Sequence, residues 1–106
     1  MNRPVTYFFE HALPDENSSE FLITILKREE PHPWEYVKSF FGLFGSVPEI
    51  VESSTTYVLE PDGDWTDIDT GEQVTDVYLV DMLFMIDMNL RKEGGNPHDI
   101  QYFVYR

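Results

Sequence analysis

The run VYLVDMLFMIDMNL at positions 77–90 most constrains the fold, because it is the densest apolar segment of the chain. Its even positions from 78 to 90 are all apolar, whereas Asp81, Asp87 and Asn89 fall on odd positions. This period of two favours a β-strand. A helix is the alternative, since methionine and leucine are good helix formers and the following RKEGGNP resembles a helix end. We expect a strand that is buried on both faces, either under a second layer or at a dimer contact, because odd positions such as Leu83 are apolar too.

Five further segments are typical of strands, because their β-branched and aromatic residues lie between clusters of turn formers. They are VTYFFEHA (5–12), FLITILKRE (21–29), TTYVLE (55–60), DWTDID (64–69) and IQYFVYR (100–106). The first two predict a hairpin with a long loop. For 21–29 the alternative is a helix that begins at Ser18 or Ser19.

One segment predicts a helix, PHPWEYVKSFFGLFGSVP at 31–48. Pro33 suits the first helical position, and Gly45 followed by Pro48 suits a helix stop. We expect its many aromatic residues to pack against the sheet, and a groove for a partner is the alternative. The chain of 106 residues is therefore predicted to be a single α+β domain, 1–106. It should have a mainly antiparallel sheet of about five to six strands, in a ββαβββ-like order, packed against one main helix.

Charge is distributed unevenly along the chain, whose formal net charge is −13. Between Lys38 and Arg91 there are eleven Asp and Glu residues and no Lys or Arg, so the flanking segments sum to only −2. Such a surplus of negative charge disfavours direct binding to nucleic acid or to an anionic membrane. The same interval is rich in aromatic and β-branched residues, so we expect it to be folded rather than a disordered acidic tail.

The carboxylates are densest between positions 60 and 76. A calcium loop counted from Asp62 would need glycine at position 67 and glutamate at position 73, but the chain has Asp67 and Gln73 there. A different cation site is the alternative. If Ile68 faces the core, strand alternation puts Trp65 outside among the carboxylates, where it would suit an interface anchor. A buried tryptophan is the alternative. The predicted partner-binding residues are Glu60, Asp62, Asp64, Trp65, Asp67, Asp69, Glu72 and Asp76.

The sequence lacks the motifs of the common enzyme and cofactor sites. The chain has no cysteine, and it has no nucleophile elbow, glycine-rich phosphate loop or dinucleotide fingerprint. His11, His32 and His98 lack the spacing of metal ligands. We therefore predict no catalytic residue, no metal and no cofactor, and expect that the protein is not an enzyme.

These features predict an acidic stoichiometric inhibitor that binds and neutralises a basic protein. Bacterial immunity proteins, which neutralise toxins such as nucleases, are small, acidic and single-domain, and the analogy extends only to this general character. One alternative is a phage-encoded nucleic-acid mimic that blocks a host defence enzyme. Another is a small-ligand-binding or enzymatic α+β domain. Because the N-terminus lacks a signal-peptide pattern and the apolar runs are short, we expect a soluble, cytoplasmic protein.

Overall fold

A computed structural model describes residues 3–40, 49–92 and 94–105. The elements in chain order are β1 (Pro4–Pro14), β2 (Phe21–Glu29), α1 (Pro33–Phe40), β3 (Val51–Leu59), β4 (Trp65–Asp67), α2 (Val77–Arg91), a 3₁₀ helix (Pro97–Asp99) and β5 (Gln101–Tyr105). The strands form one antiparallel sheet in the order β4-β3-β2-β1-β5. Four strands have five or more residues, and the three-residue β4 lies at one edge.

The α+β class, with an antiparallel sheet and one main helix, is confirmed. The predicted ββαβββ order is wrong, and the predicted count of five to six strands is not confirmed, because the run 77–90 lies in a helix. The described elements follow the order ββαββαβ. No helix in the described ranges is long and apolar enough to cross a membrane.

The predicted hairpin of 5–12 and 21–29 is confirmed, and its second arm is a strand rather than a helix. β1 and β2 pair from Val5 opposite Glu29 to Pro14 opposite Phe21, with a shift in register at Glu10. Such a bulge re-aims the side chains that follow it.

α2 is a helix because its ends are capped and its buried residues have helical spacing. The Asp76 side chain accepts a hydrogen bond from the Tyr78 N–H at the first turn, as an N-cap residue does. At the other end the Lys92 N–H donates to the Asn89 carbonyl. The buried residues of the helix, at intervals of three, one, three and one, are Leu79, Met82, Leu83, Ile86 and Asp87. The apparent period of two arose because Phe84 and Met88 are apolar although they are exposed.

α1 begins at Pro33 as predicted, and its predicted stop at Gly45 and Pro48 lies outside the described residues. The His32 ring accepts a hydrogen bond from the Trp34 N–H, and the Glu35 carboxylate accepts one from the His32 N–H. Glu35 also accepts one from Arg3, at 2.6 Å. The His32 N–H and then Arg3 lower the pKa of Glu35. Of the described α1 side chains, Trp34 is 51% and Val37 38% exposed, and α2 supplies the helical side of the described core.

The core lies between one face of the sheet and α2. Its buried apolar side chains are Val5, Tyr7 and Phe9 of β1, Ile23 and Ile25 of β2, Trp65 of β4, and Leu79, Met82, Leu83 and Ile86 of α2. The alternate positions on β1 and β2 share this face because successive side chains of a strand point to opposite sides.

Arg91 ties the end of α2 to the loop between β1 and β2. Its guanidinium donates to both oxygens of the buried Asp87, at 3.1 and 3.2 Å, and to Glu20 at 2.8 Å. Its Cζ also lies over the Phe21 ring, 5.3 Å from the ring centroid. The hydrogen bonds with Asp87 raise the pKa of Arg91, which stays charged. The acidic loop end of the hairpin is thereby fixed against α2.

Candidate partner interface

The predicted acidic surface is an edge of the sheet, formed by β4 and the two turns on either side of it. We call residues 60–76 the acidic edge. β4 pairs with β3 from Leu59 opposite Trp65 to Tyr57 opposite Asp67. The two turns flank a strand of three residues, so their carboxylates are separated by about 10 Å along the edge.

The first turn, at 60–64, forms because Pro61 and Gly63 suit a tight hairpin. The Gly63 N–H donates to the Glu60 carbonyl at 2.9 Å, and Gly63 has a φ of 92°. Proline at the second position sets φ for such a turn, and glycine accepts the left-handed conformation at its end. The Asp62 carboxylate accepts a hydrogen bond from the Asp64 N–H at 3.0 Å, so Asp62 helps to hold the turn.

The second turn, at 67–72, is held by Asp67. Its carboxylate accepts hydrogen bonds from the N–H groups of Asp69 and Thr70, at 2.8 and 3.3 Å. Its carbonyl accepts one from the Gly71 N–H at 2.8 Å, and its own N–H donates to the Glu72 carbonyl. Asp67 therefore serves the turn, while Asp69 and Glu72 are exposed.

Asp76 joins the acidic edge to the core. One carboxylate oxygen caps α2 by accepting from the Tyr78 N–H at 3.0 Å, and the other accepts from the Tyr7 hydroxyl at 3.1 Å. Because Tyr7 is buried on β1, the Asp76 side chain fixes the start of α2 over the middle of the sheet.

Trp65 is not an exposed anchor, contrary to the prediction. It is 1% exposed and packs edge-on against Phe84 with ring centroids 5.5 Å apart, whereas Ile68 is 46% exposed. The alternation that should have put Ile68 in the core stops at Asp67, where the chain enters the second turn. Trp65 instead anchors the acidic edge to the core.

Within the described residues, the acidic edge carries carboxylates that no cation neutralises. Four of the predicted residues make neither a side-chain hydrogen bond nor an ion pair within the described ranges: Glu60, Asp64, Asp69 and Glu72. Asp62 and Asp67 accept only backbone hydrogen bonds there. The ion pairs of the described chain lie elsewhere, at Arg3, Arg28 and Arg91. The edge therefore presents an unbalanced negative charge to solvent.

The structure adds a neighbouring acidic element that the sequence analysis missed. The loop between β1 and β2 lies beside the first turn, and a groove of about 470 Å³ between them is lined by residues of 15–20 and 58–61. Glu16 and Glu60 are exposed at this end of the sheet, and Glu20 is held by Arg91. The register that pairs Ile23 with Tyr57 was the missing information, because it joins segments that are distant in sequence.

Burial changes the titration of Tyr57, which lies beside Asp67 across the β3–β4 pair. Burial raises the pKa of Tyr57 above its ordinary value of 10.0, and the negative charge of Asp67 raises it further. A hydrogen bond with Thr55 acts in the opposite direction. Tyr57 is therefore neutral at physiological pH.

The histidines have separate local contacts. The His11 ring lies 3.3 Å from the Thr24 hydroxyl, His32 caps α1, and His98 packs edge-on against Phe9 at 4.8 Å. Among the residues that the structure describes, no three His, Asp or Glu side chains converge as metal ligands.

Comparison of the chain with protein-family models, with curated proteins and with solved structures found no match in any of the three.

Proposed function

We propose that the protein is a stoichiometric inhibitor that binds a basic protein through its acidic edge, as an immunity protein binds a nuclease toxin. One observation carries this proposal: six carboxylates of the edge are in no ion pair within the described chain. They are Glu60, Asp62, Asp64, Asp67, Asp69 and Glu72. A partner can therefore bring lysines or arginines to this edge without first displacing an internal cation.

The physical basis is complementarity of charge. A nuclease binds phosphates through a positively charged surface, and an acidic protein can occupy the same lysines and arginines. Long-range attraction raises the rate of association, and repulsion disfavours acidic partners, nucleic acid and anionic membranes. In this proposal the buried Trp65 holds the edge in place and makes no contact with the partner.

The test begins with capture of the partner from the source cell, followed by its identification. The triple variant Glu60→Gln, Asp69→Asn, Glu72→Gln removes three exposed charges that hold no turn. At low salt we expect its association rate to fall by about tenfold or more, and the difference from the unmodified protein to shrink at high salt. Stopped-flow binding and inhibition of the partner's nuclease activity measure the two effects.

A matched control is the triple variant Glu29→Gln, Glu30→Gln, Glu49→Gln, which changes the net charge equally at the opposite end of β2 and β3. These side chains also lack hydrogen bonds and ion pairs within the described ranges. We expect the control to bind nearly as the unmodified protein does. Equal losses in the two triples, or a captured partner that is acidic, would contradict the proposal.

The phage-encoded mimic of nucleic acid predicts the same surface with a different partner. A toxin gene beside the gene for this chain favours immunity, whereas a phage operon favours the mimic. A catalytic or small-ligand role stays a prediction of the sequence alone.

A further inference from the structure

Among the described residues, β5 is the last strand at one edge of the sheet. β5 pairs antiparallel with β1, from Gln101 opposite Phe8 to Tyr105 opposite Pro4, and has no strand on its other side within the described chain. Its sequence QYFVY has no glycine, proline or charged residue. A strand of this kind presents unpaired N–H and C=O groups that can pair with another chain.

The opposite edge of the sheet is closed. β4 has three residues, Thr66 forms a bridge with Gln73, and the Val74 N–H donates to the Trp65 carbonyl. A short strand, a covering segment and charged residues are the devices that protect a sheet edge from pairing. In the part of the chain that the structure describes, these devices are present at β4, and β5 has neither a covering segment nor a charged residue.

We propose that β5 pairs antiparallel with β5 of a second copy, which gives a two-fold dimer with one continuous sheet. A second copy fits because the hydrogen-bonding groups of an antiparallel strand are self-complementary about a two-fold axis. The two-fold passes through the middle of β5, at Phe103. The dimer is independent of the proposed inhibitor function.

Charge opposes this arrangement less than one that brings the two β4 edges together. Each copy has a formal net charge of −13, with its acidic edge at β4. Pairing through β5 puts the two β4 strands nine strand spacings apart, about 43 Å across the joined sheet. That separation is about five Debye lengths at physiological salt, so the two acidic edges are screened from each other.

Because the chain has no cysteine, single spin labels can test the geometry directly. Thr6→Cys labels β1 and Ser53→Cys labels β3. Thr6 pairs with both Phe103 and Arg28. Arg28 pairs with Glu52, the neighbour of Ser53, so both labelled sites lie near the row of Phe103. In the dimer the backbone distances between equivalent sites are about 14 Å for position 6 and about 34 Å for position 53. Light scattering should give twice the mass of one chain. Electron spin resonance should give a shorter distance for the label at position 6 than for the label at position 53.

Phe103→Lys places two lysines opposite each other at the two-fold, and we expect the dissociation constant of the dimer to rise about tenfold or more. Phe103→Leu is the matched apolar control and should keep the dimer. Circular dichroism establishes whether each variant is folded. If Phe103→Lys is not folded, the distances measured in the spin-labelled proteins still test the proposal. The proposal would be overturned by a mass of one chain at every concentration up to roughly 100 micromolar, which is on the order of the dissociation constant of a weak dimer. A shorter distance at position 53 than at position 6 would also overturn it.

Discussion

Met82 and Met88 give the sharpest test of α2, because a strand and a helix at 77–90 place these two side chains differently. In a strand both are even positions and share a face. In the helix Met82 is 0% exposed beneath the sheet, whereas Met88 is 69% exposed on the outer face. Met82→Ala and Met88→Ala are the same chemical change, and alanine favours a helix at either position.

The expected costs differ several-fold. Met82→Ala removes a fully buried side chain and leaves a cavity, so the free energy of unfolding should fall by about 2–5 kcal/mol. Met88→Ala removes a side chain that is mostly in water, and the change should lie within about 0.5 kcal/mol. Each kcal/mol corresponds to about 4–8 °C in the midpoint of thermal unfolding for a domain near this size.

Urea unfolding followed by circular dichroism measures both costs, provided that the dependence on urea concentration is the same in each variant. Met82→Leu keeps the volume of the side chain and should cost less than about 1.5 kcal/mol, which separates packing from other effects of substitution. Equal costs for the two alanine variants would refute the helical packing of α2.

Three further predictions concern the β3–β4 pair and its turns. The folded protein favours the neutral form of Tyr57, which raises its pKa above the ordinary value of 10.0. The contribution of Tyr57 to the free energy of unfolding is therefore complete below pH 10.0, and it is lost as the pH rises through the higher pKa of the folded state. The unmodified protein should therefore lose stability relative to Tyr57→Phe only at alkaline pH, and a parallel pH dependence would count against this. Trp34→Phe leaves Trp65 as the fluorophore, and its emission should be blue-shifted and poorly quenched by iodide, because Trp65 is buried; efficient quenching would contradict that burial. Gly63→Ala should cost about 1–2 kcal/mol in thermal unfolding, since Gly63 has a positive φ although a Cβ there meets nothing within 4 Å; an unchanged midpoint would show that the turn is wrong.

Local sequence patterns predicted the strands of the sheet well, because turn formers separate the β-branched and aromatic runs. The start of α1 at Pro33 was also predictable from the fixed φ of proline. α2 was not, since exposed apolar residues such as Phe84 and Met88 fill positions that a surface helix usually gives to polar residues. The alternation of apolar residues alone therefore favoured a strand where the chain forms a helix.

The acidic edge could be predicted as a set of residues but not as a surface. Asp62, Asp67 and Asp76 hold turns or cap a helix, which a count of carboxylates does not distinguish from a solvent-facing charge. The burial of Trp65 depends on where β4 stops, and the chain turns at Asp67, one residue before Ile68. Pairing with β3 fixes that boundary.

The three methionines of α2 differ in a way that bears on chemical ageing. Oxidation to the sulfoxide makes a thioether polar, and exposed side chains react first. Met88 and Met85 lie open to peroxide on the outer face, while Met82 is shielded under the sheet. Sulfoxide at the outer positions leaves the core intact, so its appearance at Met82 marks molecules that have already opened.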